Sequence, residues 1–171
     1  PHPNLSSRQF IDLNKDKLAR IVPLISEWYE KLPPEKKYLF IGVKTGWEIN
    51  IGTNFFYYPD GNAYLEKNYP DDPQGGIKDS LQIGYAAVKT AGIKSAGTLT
   101  SADLDLVVNN YLTELTKTVV DNGIPRNKIY THTGPNFGDY PQSAVFNSAL
   151  AGVVPFAKPG WSVYGCAYNP A

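Results

Sequence analysis

Between Tyr38 and Val43 the chain runs apolar almost without a break, then turns small and polar and arrives at Trp47-Glu48-Ile49-Asn50. A continuous run of this kind predicts a strand, Tyr38–Val43, buried on both faces as in the parallel sheets of α/β proteins. Upstream, Leu18, Ile21, Val22, Ile25, Trp28 or Tyr29, and Leu32 fall on one 3.6-residue stripe and predict a helix. Ser6 or Ser7, or alternatively Asn14, would cap it; Pro23 would kink it or restart it, and Pro33-Pro34 ends it.

After Glu48 the pattern becomes aromatic rather than alternating, through Phe55, Phe56, Tyr57 and Tyr58 to a Pro59-Asp60-Gly61-Asn62 turn. A hairpin or long ordered loop fits, followed by a second loop over Asn68–Gly76; loops of that length are commonly functional. A helix capped by Asp79 or Ser80 runs through Leu81, Tyr85 and Val88 to Gly92. The clearest helix starts at Ser101, repeats Leu104, Val107, Val108, Tyr111, Leu112, Leu115 and Val119, and closes at Asn122-Gly123. A second strand, Lys128–His132, breaks at Gly134-Pro135. A short helix is expected over Ser143–Leu150, and a third strand over Trp161–Ala167, with Trp161 in the core at the strand's amino end.

Helix and strand thus alternate, which predicts parallel strands joined by helical crossovers. Three core strands make a thin sheet for 171 residues. The expected architecture is therefore α/β, a single unit over residues 1–171 made of consecutive units of a (β/α)8 TIM-type barrel, from about the third helix to the sixth strand. A small standalone layered α/β domain is the alternative. The absence of Met and the Pro1-His2-Pro3 start suggest a processed chain or an excised fragment. Its partners would include the remainder of its own barrel or a second chain.

Charge and composition narrow the function. Sixteen basic and 16 acidic residues are interspersed and cancel, which argues against nucleic acid or an anionic membrane as partner. No apolar stretch approaches the roughly 20 residues that span a bilayer. One cysteine, Cys166, and two histidines far apart in sequence predict no disulfide and no metal site, and leave the compartment open.

In a barrel the chemistry lies at the carboxyl ends of the strands. Those ends carry Trp47, Glu48 and Asn50, then His132 with Asn136 behind it, then Tyr168, while the long loop brings Asn54 and Tyr57 to the same end. One acid among aromatic rings and uncharged hydrogen-bonding groups suits a carbohydrate, whose C–H faces stack on rings while its hydroxyls pair with Asn and Tyr. The plain alternatives are that Glu48 is an ordinary loop acid, that His132 is a structural hydrogen-bonder and that the loop aromatics are partly core.

The segment Lys44–Gly52 followed by Tyr57-Tyr58-Pro59 resembles the fourth-strand region of barrel glycoside hydrolases, the clan that includes family 42 β-galactosidases. Ile124–His132 and Pro159–Ser162 are similar in the same way. The resemblance implies hydrolysis of glycosidic bonds without a cofactor, with Glu48 as general acid/base and Trp47, Asn50, Asn54, Tyr57, His132, Asn136 and Tyr168 around the sugar. The chain departs from the clan at two points. Trp47 stands where the clan usually has Asn, and no residue supplies the seventh-strand nucleophile that would sit roughly 5–5.5 Å from the acid/base in a retaining enzyme. A non-catalytic carbohydrate-binding or structural α/β domain is the other reading.

Overall fold

The structure, a computed structural model, describes residues 3–52, 83–134 and 145–162. Helix α1 spans Arg8–Lys31, strand β1 Val43–Ile49, helix α2 Ile83–Thr90, helix α3 Ser101–Asp121 and strand β2 Ile129–Thr133. The fold is mixed α/β, and β1 and β2 pair in parallel.

Local chemistry accounts for the helix ends. The Ser7 hydroxyl accepts the Phe10 N–H and caps α1, whereas Asn14 lies inside the helix and donates to the Phe10 carbonyl. Helix α1 continues through Pro23 as one element instead of restarting there. Thr100 and Asp103 form a reciprocal capping box at the start of α3, and Lys94 pairs with Asp103. At the other end the chain leaves α3 through Asn122 and through Gly123 at φ +99°.

The first strand lies several residues beyond its expected place. Pro34–Leu39 forms a 3-10 turn, and Tyr38 and Ile41 are 75% and 76% exposed. The pair Pro33-Pro34 explains the displacement: fixed proline φ angles favour a tight helical turn, and the apolar run is spent before the sheet begins. Of Tyr38 to Ile41 only Phe40 turns inward, against the rings of Trp28 and Tyr29. At Gly42, with φ +150°, an added Cβ would stand 2.1 Å from the Lys128 carbonyl oxygen, so the residue lets β1 come in tightly beside β2.

Strand β2 is buried at Ile129, Thr131 and Thr133 and half-buried at Tyr130 and His132. This is a strand with one covered face, and it forms within a residue of the second strand expected over Lys128–His132. The covered face meets α3, whose Leu104, Val107, Val108, Leu112 and Val119 are almost wholly buried. It also meets a 3-10 turn at Ala149–Gly152, where the Thr131 hydroxyl donates to the Gly152 carbonyl at 2.7 Å. The α-helix expected near Ser143–Leu150 does not form in the described part. Asp105 accepts from both the N–H and the hydroxyl of Ser148, and the Asn147 side chain accepts the Ile51 N–H, so local side-chain bonds hold an extended approach to the turn.

A third parallel segment, 158–162, lies along the far edge of β2. Lys158 bridges Tyr130 and Trp161 bridges Thr133. Backbone bonds alternate along this pairing, from the Thr131 N–H to the Lys158 carbonyl and from the Ser162 N–H to the Thr133 carbonyl. The extended segment therefore begins before Trp161. That residue stands at the carboxyl end, 51% exposed, and not in the core at the amino end as its place after Pro159-Gly160 suggested. The hairpin, the Asp79/Ser80 cap and residues 163–167 lie outside the described residues.

Candidate functional site

The site is made by an irregularity in β1. Thr45 pairs with Thr131 and Ile49 with Thr133, so Gly46, Trp47 and Glu48 together face the single residue His132. Two extra residues must bulge out, and two of the three have positive φ: Gly46 at +88° and Glu48 at +47°. Glycine adopts such angles freely, whereas for a glutamate the left-handed conformation costs on the order of 1–3 kcal/mol. Bulges of this kind redirect side chains and are frequent beside functional sites.

The redirected groups meet in a closed hydrogen-bond circuit. The Glu48 N–H donates to His132 Nδ1 at 3.2 Å. His132 Nε2 lies 2.7 Å from Ser162 Oγ, and that hydroxyl donates to Glu48 Oε1, also at 2.7 Å. Since Nδ1 accepts from an amide, the ring proton of neutral His132 belongs on Nε2, pointing at Ser162. The arrangement contains serine, histidine and a carboxylate, but not in the order of an acyl-transfer triad. There the histidine stands between serine and acid with an unprotonated nitrogen toward the hydroxyl. Here serine is the middle member and its proton goes to the acid, so the circuit orients Glu48 and does not activate Ser162.

Burial pushes the His132 ring below its ordinary value of 6.5; the Lys44 ammonium adds to this, while Glu48 works in the opposite direction. Because the folded protein favours the neutral ring, this contribution to stability is present above pH 6.5 and is lost as pH falls through the lowered folded value. Thermal unfolding between pH 7.5 and 5 is expected to show a steeper fall in midpoint for the parent than for His132→Gln. Equal slopes would mean the ring titrates alike in both states.

Trp47 is 73% exposed, its ring nearly perpendicular to that of His132 with centroids 6.0 Å apart, and the Lys44 ammonium lies 4.0 Å from its centroid. Trp161 lies at the same end of the sheet, through its pairing with Thr133. Asn50, one residue past β1, directs its amide toward Gly134: Nδ2 would lie 3.1 Å from an added Cβ there. Of the residues expected around the site, Trp47, Glu48, Asn50 and His132 therefore gather at the carboxyl end of the parallel strands. Asn54, Tyr57, Asn136 and Tyr168 lie outside the described residues.

Ser162 was not among the expected site residues. Starting the third strand at Trp161 left the serine near its beginning; with pairing from Lys158 onward it arrives at the end, beside His132. Every other described carboxylate sits on a helix or 3-10 turn, from Asp12 on α1 to Asp121 on α3. Asp60, Asp71, Asp72 and Asp139 lie outside the described residues. Among the described residues no cluster of three potential metal ligands occurs, and no helix is long and apolar enough to cross a membrane. No family model, curated protein or solved structure matches the chain.

Proposed function

We propose that the chain is a carbohydrate-active unit, part of a glycoside hydrolase-like (β/α)8 barrel, and that Glu48 acts as general acid/base on a glycosidic bond. The observation that carries this reading is the bulge in β1. It sets a glutamate, at a conformational cost, between an exposed tryptophan and a histidine at the carboxyl end of parallel strands. Enzymes built on parallel barrels keep their chemistry at that end, and an exposed indole beside a carboxyl is suited to a pyranose ring. The barrel reading calls for a further strand along the outer edge of β1. A preceding strand of the same barrel, or a second chain, would pair there.

Hydrolysis needs a second carboxyl, as nucleophile or as base for water. This requirement keeps a second reading in view, because Glu48 is the one described carboxylate that is not on a helical element. A non-catalytic carbohydrate-binding unit would use Trp47, Trp161 and the polar groups around them without cleavage. One experiment separates the two. The protein is incubated with a panel of aryl glycosides and unmodified oligosaccharides, and released reducing ends and tryptophan fluorescence are followed together. Cleavage at any linkage is the expected result. Saturable quenching without cleavage overturns the hydrolase reading in favour of the binding one.

A further inference from the structure

We infer that Ser162, held by His132, is a positioning residue for the Glu48 carboxyl: the circuit from the Glu48 N–H through His132 and Ser162 to Glu48 Oε1 sets which way the acid points. The inference rests on the reading of Glu48 as acid/base, but its geometric content stands separately. The glutamate is tied at both ends of its own residue. Its backbone N–H fixes the histidine tautomer, and that tautomer leaves Nε2–H to donate to the serine oxygen. With that oxygen so engaged, the serine proton is directed at Oε1. Each group has its donor and acceptor roles assigned by its neighbour, so a single arrangement satisfies all three bonds.

The surroundings make the arrangement durable. Ser162 is 8% exposed, and its N–H donates to the Thr133 carbonyl, so its position is set by the pairing with β2. His132 is held by the strand it belongs to and by the contact with the Trp47 ring, and the nearby Lys44 charge disfavours its protonated form. The positive φ at Glu48 is the backbone turn that brings its own N–H to the histidine. A catalytic acid gains from this because groups that hold a side chain in its productive orientation lower the cost of reaching the transition state.

The test has two arms. In the first, nitrogen-15 NMR of the histidine-labelled parent protein at neutral pH reads the His132 ring. The expected spectrum has an unprotonated Nδ1 and a protonated Nε2, and Ser162→Ala moves the Nε2 signal while Nδ1 stays an acceptor. A protonated Nδ1 in the parent, or an Nε2 signal indifferent to Ser162→Ala, overturns the inference whatever the activity. In the second arm Ser162→Ala is expected to lower kcat on a poorly activated glycoside about tenfold with KM nearly unchanged, as loss of one hydrogen bond that orients a reacting group commonly does. Ser162→Thr, which keeps the hydroxyl, should restore most of the loss. In a Glu48→Gln background Ser162→Ala should add little, because the carboxyl it positions is gone. Equal losses in both backgrounds overturn the positioning role. No cleavage by the parent, with the expected NMR spectrum, counts against the hydrolase reading and leaves the circuit intact.

Discussion

Replacing Glu48 by Gln is expected to lower turnover of a poorly activated glycoside by two or more orders of magnitude while leaving the fold in place. The size follows from the roughly 10²–10⁴-fold that positioned acid–base groups contribute. The substitution suits the site well. The amide oxygen of glutamine still accepts from the Ser162 hydroxyl, and the Cβ is unchanged, so the backbone at φ +47° is no more strained than before. What disappears is the exchangeable proton. A departing alkoxide from an unmodified sugar needs that proton, whereas an aryl leaving group with a low pKa departs largely without it. Aryl glycosides should therefore lose much less than oligosaccharides, and the gap between the two classes is the signature of an acid catalyst. A uniform loss across leaving groups would point to Glu48 as a binding group. Unchanged turnover on the unmodified sugar would remove it from the chemistry.

The helices were legible because their signals are local. The α3 stripe from Leu104 to Val119 and its close at Asn122-Gly123 need nothing beyond neighbouring residues, and burial follows the stripe closely. The second strand forms where its residues predict it, at Ile129–Thr133, but the first is harder to read because apolarity alone is its sequence signal. Tyr38-Leu39-Phe40-Ile41 is as apolar as a buried strand but is diverted into a turn by two prolines, while the true strand, Val43–Ile49, contains lysine, threonine and glutamate. That strand needs one apolar face only, and its other face can hold Lys44 beside Tyr130. Glu48 stood out through its place where the apolar run ends, and the structure keeps it at the carboxyl end of the sheet. The bulge, however, was not readable. It depends on the pairing of Thr45 and Ile49 with residues more than eighty positions away, and Gly46 is its single local trace. Ser162 was missed for the same reason, since its distance from Glu48 is set by strand register and not by sequence.

The largest expected effect on stability falls directly beneath this bulge. Leu112 is fully buried on α3, and its Cδ2 lies 3.3 Å from where a side chain on Gly46 would begin. Leu112→Ala is expected to cost about 2–5 kcal/mol, the loss of buried methyl groups plus the cavity they leave. Against the 5–15 kcal/mol that stabilises a typical domain, this is a substantial fraction. In urea the midpoint should fall with the slope unchanged, since the surface exposed on unfolding is nearly the same. Leu104→Ala provides the comparison. It is equally buried on the same helix, about two turns away, and should be destabilising to a similar degree. Position distinguishes the two. A cavity under Gly46 lets the bulge settle inward and lengthens the contact from the Glu48 N–H to His132, so Leu112→Ala should shift the His132 ring nitrogen signals and Leu104→Ala should not. If both variants shift those signals alike, the core responds as a whole and the bulge has no private support. If only Leu112→Ala does so, the helix facing the sheet sets the geometry of the acid as well as the stability of the fold.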